Sequence, residues 1–118
     1  MNKVIEIGRL STEVELRATK DGKPVCNFGL AVDRNRKDAG ADFFSIIAWD
    51  KLATLCKQYC SKGDLVAVYG HLQARPYEKD GQHRTSTEVV AEEVKFLSTK
   101  HRTTESAQKD DETEALPY

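Results

Sequence analysis

Hydrophobic and polar positions alternate with a period of two over most of the first hundred residues, which is typical of β-strands. The clearest case is the segment DFFSIIAWD, residues 42–50. One face of this strand carries the odd-numbered residues from Phe43 to Trp49, and the other carries the even-numbered residues from Phe44 to Ala48. Both faces are rich in apolar residues, and only one can enter the core. The pattern therefore predicts that Phe43 and Trp49, the only tryptophan in the chain, lie on an outer face.

Four other segments show the same period. A first strand covers residues 2–10, and residues 14–19 could continue it after a break at 11–13. A second strand covers residues 24–34, and the third is the segment of Phe43 and Trp49. The last two cover residues 65–77 and 83–97. The dipeptides Asp21-Gly22 and Asp80-Gly81 predict hairpin turns, because Asp and Gly tolerate the positive φ angles of such turns.

A short helix interrupts the series after the third strand. Leu52, Leu55, Cys56 and Tyr59 follow the spacing i, i+3, i+4, i+7 of an amphipathic helix, and Asp50 is placed to cap its start. Five strands with one short helix between strands 3 and 4 give the element order of a Greek-key barrel of the OB type. We therefore expect an all-β OB-fold domain over residues 1–98.

The pattern disappears after residue 98, where the chain becomes polar and charged. Residues 99–118 are predicted to form a disordered tail that ends in an apolar tip. The net charge of −1 is unevenly divided. Residues 1–104 hold 17 basic and 14 acidic side chains, whereas residues 105–118 hold one basic and five acidic side chains. A mildly basic body favours a polyanionic partner, and an acidic tail can compete with that partner or recruit a basic one.

Several functional classes lack support in the sequence. No apolar run approaches the ~20 residues of a membrane span, and the charged first residues do not form a signal peptide, so we expect a cytoplasmic protein. The three cysteines form no CxxC pair and are expected to be free thiols, with Cys26 and Cys56 buried. We find no glycine-rich phosphate loop, catalytic set or trusted metal signature. The protein is therefore not expected to be an enzyme or to need a cofactor.

Aromatic and basic residues outside the predicted core favour single-stranded nucleic acid as a ligand. The candidate stacking residues are Phe43, Trp49 and Tyr77. The candidate backbone-binding residues are Lys3, Arg9, Arg34, Arg36, Lys51, Lys62, Arg75, Lys79 and Arg84. Rings stack on bases and cations neutralise phosphates, and neither contact reads sequence. The alternatives are that Phe43 and Trp49 pack against another subunit and that each cation alone is an ordinary surface charge.

Over residues 2–97 the chain resembles the bacterial single-stranded DNA-binding proteins. The resemblance rests on NKVIEIGRL (2–10), NFGLAV (27–32), FFSIIAWDKLA (43–53), YCSKGDLVAVYGHLQARPY (59–77) and DGQHRTSTEVVAEEV (80–94). It implies an OB-fold subunit, a homotetramer and single-stranded DNA wrapped over its surface. Phe43, Trp49 and Tyr77 match the family's stacking aromatics. A fourth family aromatic falls on Arg36, whose guanidinium can also stack.

The tail DDETEALPY resembles the family's acidic C-terminal tip, which docks on replication, recombination and repair proteins. The matching residues are Asp110, Asp111, Glu112, Glu114, Leu116, Pro117 and Tyr118. The resemblance thus implies a protein that protects exposed strands and recruits enzymes. Two alternatives remain open at this stage: a dimeric OB-fold accessory factor of replication restart, and a small hydrolase that uses His and acidic residues.

Overall fold

A computed structural model of the protein describes residues 1–98, and the predicted tail and its tip lie outside the described residues. The elements are β1 (Val4–Leu10), β2 (Glu15–Ala18), β3 (Pro24–Asp33), β4 (Ala41–Trp49), α1 (Asp50–Tyr59), β5 (Leu65–Lys79) and β6 (Gln82–Ser98). The strand order is β1-β5-β6-β4-β3-β2, and an additional pairing of β1 with β3 closes the sheet. This closed sheet with one short helix confirms the predicted OB-type barrel.

Strands β1 and β2 together act as one interrupted strand of the barrel. Both run antiparallel to β3, with Leu10 opposite Leu30 and Glu15 opposite Asn27. Residues 11–14 form the break between them. The structure therefore has six strand segments that form five strands of the barrel, and five is the number that the sequence predicted.

The core lies between the inner faces of the strands and the helix. Phe28 and Leu30 of β3 pack with Ile46 of β4, and all three are buried. The period of two thus assigned the inner face of β4 correctly. Phe43 and Trp49 lie on the opposite face of β4 and are exposed, as predicted.

The three cysteines are free and buried in this core. The Cys26 thiol donates a hydrogen bond to Cys56, and this bond, together with burial, raises the pKa of Cys26. The bond from Cys26 lowers the pKa of Cys56, but the bond that Cys56 donates to Cys60 and burial raise it to about 12 overall. Both thiols stay protonated at neutral pH, which makes them poor nucleophiles.

The helix differs from its prediction at its start. Trp49 occupies the N-cap position and no side chain caps the helix. The prediction that Asp50 is the cap was wrong, because Asp50 is the first helical residue, with a φ of +58°. At the other end Tyr59, the last residue of the predicted amphipathic spacing, is 52% exposed. Its ring lies 5.8 Å from that of Phe96, so it packs at the edge of the barrel.

Strands β5 and β6 extend beyond the barrel as a long hairpin arm, which we define as residues 72–87. Both predicted Asp-Gly turns are present. At the tip of the arm Asp80 and Gly81 have φ angles of +53° and +78°, the pair of positive values that a two-residue hairpin turn requires. Tyr77 and Arg84 face each other across the arm. The arm therefore carries an aromatic and a basic residue away from the core.

Candidate nucleic-acid interface

The outer face of β4 presents two aromatic rings above a surface of small side chains. Phe43 is 70% exposed and Trp49 is 43% exposed. On β3, Ala31 lies opposite Phe43 and Val25 lies opposite Trp49. Because neither neighbour is large enough to cover a ring, both rings keep a free face for a flat ligand. They are six positions apart along β4, or about 20 Å of strand, so they would contact different nucleotides.

Each ring shares its row of the sheet with an arginine. Arg9 of β1 pairs with Ala31, the neighbour of Phe43. Arg17 of β2 pairs with Val25, the neighbour of Trp49. Paired residues point to the same side of a sheet, and two strand spacings are about 10 Å. The same arrangement therefore occurs in two rows of the sheet: an aromatic ring, then a small residue on the next strand, then an arginine on the strand after that.

A cleft of about 380 Å³ lies beside Trp49. Its lining comes from β2, β3, β4, β5 and β6, and its polar side chains are those of Arg17, Asn27, Ser45, Arg75 and Glu88. The volume falls within the range of about 300–1,000 Å³ that is usual for small-molecule sites. Trp49 and the predicted cation Arg75 therefore line one site, although 26 positions separate them in the sequence.

The other candidate aromatic, Tyr77, lies on the hairpin arm and is 42% exposed. Alternation along β5 places it on the same side of the strand as Arg75. Arg84 is its partner on β6, and the Arg84 Nη2 donates to Gln82 Oε1 at 3.1 Å. The arm thus continues the aromatic-and-basic surface beyond the cleft.

Besides Arg84, four of the nine candidate cations are engaged with protein groups. Arg34 pairs with Asp42 Oδ1 at 2.7 Å, and Arg75 pairs with Glu88 Oε2 at 2.9 Å. Lys3 lies 3.2 Å from Glu92 Oε1, and Arg9 donates to the Gly63 carbonyl at 3.0 Å. These side chains first neutralise or satisfy groups of the protein and have less capacity left for phosphate.

The pairings of Arg34 and Arg75 remove negative charge beside the rings. Asp42 precedes Phe43, and its hydrogen bond with Arg34 lowers the pKa of that carboxyl below its usual range. Glu88 lines the cleft of Trp49 and is only 7% exposed, with both of its oxygens bonded to Arg75. An unpaired carboxylate beside a ring would repel a phosphate. Because each arginine neutralises its carboxylate, a phosphate can approach the ring.

The remaining five candidate cations are exposed, and none of them forms an ion pair within residues 1–98. They are Arg36, Lys51, Lys62, Lys79 and Arg84. Lys51 follows Trp49 by two residues, Arg36 lies in the loop between β3 and β4, and Lys79 lies at the tip of the arm. They therefore lie on different elements rather than forming one cluster.

Sequence analysis missed Arg17, Asn27 and Glu88. Asn27 lies within the predicted second strand, but nothing local marked it as part of a site. Arg17 enters the cleft only because β2 pairs with β3 in one register, and Glu88 only because β6 runs beside β4. Strand pairing is a long-range property, so no local signal in the chain could have found them.

Two negative findings apply to the described part of the chain. Within residues 1–98, no three His, Cys, Asp or Glu side chains are arranged to hold a metal ion. In the same region no helix is long and apolar enough to cross a membrane.

The described fold and surface define an OB-type barrel with exposed aromatic and basic residues, the architecture used by many oligonucleotide-binding modules. Comparison with known proteins specifies the family. The model of the single-strand binding protein family matches residues 1–97. The chain belongs to this family.

Individual relatives agree with this assignment. The chain is 52% identical over 102 residues to single-stranded DNA-binding protein 2 of Clostridium acetobutylicum, covering 82% of this chain and 77% of the relative. It is 48% identical over 102 residues to the single-stranded DNA-binding protein of Clostridium tetani, covering 82% and 70%. Single-stranded DNA-binding protein 1 of Streptococcus pyogenes is 43% identical over 103 residues, covering 84% and 79%.

Proposed function

We propose that this protein binds single-stranded DNA with little dependence on sequence and has no enzymatic activity. The observation that carries the proposal is the pair of exposed rings on β4, Phe43 and Trp49, each in a row with an arginine. Family membership supports the same ligand, since the relatives are named for single-stranded DNA binding. Duplex DNA hides its base faces in the stack, so these rings would have nothing to bind there.

Binding would combine stacking with neutralisation of phosphates. Bases stack on Phe43, Trp49 and Tyr77, each contact contributing about 1–3 kcal/mol. The exposed cations around the rings attract the backbone and release its counterions. Arg36 lies in the loop between β3 and β4 and serves as both a cation and a stacking plane.

The direct test is a titration of a fluorescently labelled oligo-dT by anisotropy, with a duplex of equal length as the control. We expect tight binding of the single strand, weak binding of the duplex, and an affinity that falls as salt rises. The Arg84→Gln variant should reduce the slope of log K against log salt by about 0.7, the value for one phosphate contact on a single strand. Equal affinity for both DNAs would refute the proposal.

We also propose that the protein is a homotetramer. Ile5 and Ile7 on the outer side of β1 are 63% and 54% exposed. Ile5 is paired with Tyr69 of β5, which is partly exposed and extends the apolar surface, and Ile7 is paired with Ala67, which is buried. Beyond its pairing with β5, β1 contacts β3 only at Arg9 and Leu10, so residues 4–7 have a free edge within the described chain. An apolar strand with a free edge favours association. Native mass would distinguish a tetramer from the dimer expected of a replication-restart accessory factor.

In the cell, the protein would act in the cytoplasm on strands exposed during DNA replication, recombination and repair. The tail would recruit proteins of those processes through the acidic residues Asp110, Asp111, Glu112 and Glu114 and the tip Leu116, Pro117 and Tyr118. Replacing Leu116 and Tyr118 by Ala should spare DNA binding and abolish recruitment, measured as co-purification of partners with the full chain. Loss of DNA binding with recruitment retained would contradict this division of labour.

A further inference from the structure

An acidic side chain lies within the candidate interface, at a place where a polyanion would meet it. Glu88 is buried and lines the cleft of Trp49. Within residues 1–98 the other buried acidic side chain is Asp64, which lies outside this cleft and accepts a hydrogen bond from the Ser61 amide in its own loop. Of the two, only Glu88 is placed to affect the binding of DNA.

Glu88 holds Arg75 through two hydrogen bonds. In the register of the arm Glu88 lies opposite Gln73 and Arg75 lies opposite Ser86, so the two are diagonal neighbours on one side of the arm. Arg75 Nε donates to Glu88 Oε1 at 3.2 Å, and Arg75 Nη2 donates to Glu88 Oε2 at 2.9 Å. Two bonds from a planar guanidinium fix its orientation as well as its position. The pair carries no net charge.

The two partners of this ion pair differ in exposure. The side chain of Arg75 is 61% exposed, whereas that of Glu88 is 8% exposed. A phosphate that drew Arg75 away would leave a buried carboxylate without its partner, which is strongly unfavourable. The new contact would form on the exposed side of Arg75, where solvent screens it. Arg75 therefore stays with Glu88 when DNA binds.

We infer that Glu88 lowers the affinity for single-stranded DNA by holding Arg75 in a neutral ion pair. The inference rests on the proposed function, because it concerns the DNA that stacks on Trp49 and Tyr77. Arg75 lines the cleft of Trp49 and precedes Tyr77 by two positions on the same side of β5, so it is the cation closest to both rings in the fold. Its N–H groups that do not bond to Glu88 can still contact the backbone. A neutral pair, however, releases no counterion from a phosphate.

The salt dependence of binding distinguishes a neutralised cation from a free one. Glu88→Gln keeps the shape of the side chain and removes the charge that neutralises Arg75. The slope of log K against log salt for oligo-dT should steepen by about 0.7, the value for one additional phosphate contact on a single strand. The affinity should rise by about 2- to 5-fold, the range for one exposed ion pair. Anisotropy titrations at several salt concentrations measure both quantities.

Three further variants separate release of Arg75 from a general change in charge. Adding Arg75→Gln to the Glu88→Gln chain should remove the gain in slope, because the gain depends on Arg75. Glu78→Gln removes the same charge from the opposite side of the arm, where the Glu78 side chain is 63% exposed, and it should leave the slope unchanged. Glu88→Met also frees Arg75 and repeats the test with an apolar side chain at the buried position, in case the amide prevents folding. Urea unfolding verifies that each variant is folded.

The outcomes distinguish failure of this inference from failure of the proposed function. A slope that neither Glu88 variant steepens, or a steepening that persists without Arg75 or appears equally in Glu78→Gln, would overturn the role of Glu88 and leave single-stranded DNA binding intact. Weaker binding by a folded Glu88→Gln chain would overturn it as well. If the unaltered chain does not bind oligo-dT, the proposed function fails and this inference fails with it.

Discussion

At the scale of single residues, Phe43 combines two properties that are normally opposed: it is a large apolar side chain, and it is 70% exposed. Its cross-strand neighbour Ala31 is too small to cover it, and the adjacent Asp42 is neutralised by Arg34. The period of two on β4 was enough to predict this exposure. Arg17, by contrast, could not be predicted as a neighbour of Trp49, because that proximity depends on how three strands pair.

Replacing Phe43 by Ala should weaken binding to oligo-dT by about 1–3 kcal/mol, because one stacking ring is lost. The free energy of unfolding should change little, since the ring is mostly outside the core. Phe43→Tyr keeps a ring and serves as the matched control, with affinity close to that of the unaltered chain. Anisotropy titrations and urea unfolding of the three proteins test this. Equal affinities for the Ala and Tyr variants would remove Phe43 from the stacking surface.

At the scale of elements, the strand faces and both hairpin turns could be predicted because their signals are local. The period of two marks a face, and Asp-Gly marks a turn. The start of α1 could not be predicted this way: the chain passes directly from β4 into the helix through the positive φ of Asp50, so the expected cap is already a helical residue. The cleft could not be predicted from local signals either, because its lining residues come from five strands.

Where β5 passes from the barrel into the hairpin arm, close strand packing requires a glycine, which the sequence pattern did not indicate. Gly70 lies at a register shift between β5 and β6. A Cβ added there would meet the Val90 carbonyl oxygen at 2.0 Å, and backbone cannot move aside cheaply. We expect Gly70→Ala to lower the free energy of unfolding by about 3 kcal/mol, the upper end of the common range for point mutations.

Gly81→Ala is the control for this prediction. Gly81 has a φ of +78°, but a Cβ there meets nothing within 4 Å. Gly81→Ala should lower the free energy of unfolding only by the cost of placing alanine in the left-handed conformation, about 1–2 kcal/mol. Urea unfolding measures both variants. A Gly70→Ala protein as stable as the Gly81→Ala protein would mean that the strands separate more easily at the register shift than the structure indicates.

At the scale of the whole molecule, the closed barrel could be predicted from the order of the elements. The association of subunits could not, because it depends on which apolar side chains remain exposed on the folded subunit. Ile5 and Ile7 alternate with polar residues, as apolar residues do in a strand with one face in the core. From this pattern alone, both side chains would be predicted to face the core. The structure instead leaves both more than half exposed, and the face opposite theirs packs on the barrel. Only the fold distinguishes an apolar face that is buried within the subunit from one available to another subunit.

Replacing Ile7 by Asp should therefore dissociate the proposed homotetramer, because a charge would have to be buried in the contact. Ile7→Val keeps the face apolar and is the matched control. Native mass spectrometry or light scattering should give four chain masses for the unaltered chain and the Val variant, and a smaller assembly for the Asp variant. A tetramer that survives Ile7→Asp would place the contact elsewhere.

The most direct test of single-stranded DNA binding uses the intrinsic fluorescence of Trp49. Because it is the only tryptophan in the chain, the signal reports this one position. Titration with oligo-dT should quench the emission strongly at low salt, as a base stacks on the ring, while duplex DNA should leave it nearly unchanged. Emission that stays constant with oligo-dT, or that responds equally to duplex, would show that no base reaches Trp49 and would contradict the proposed function at its central residue.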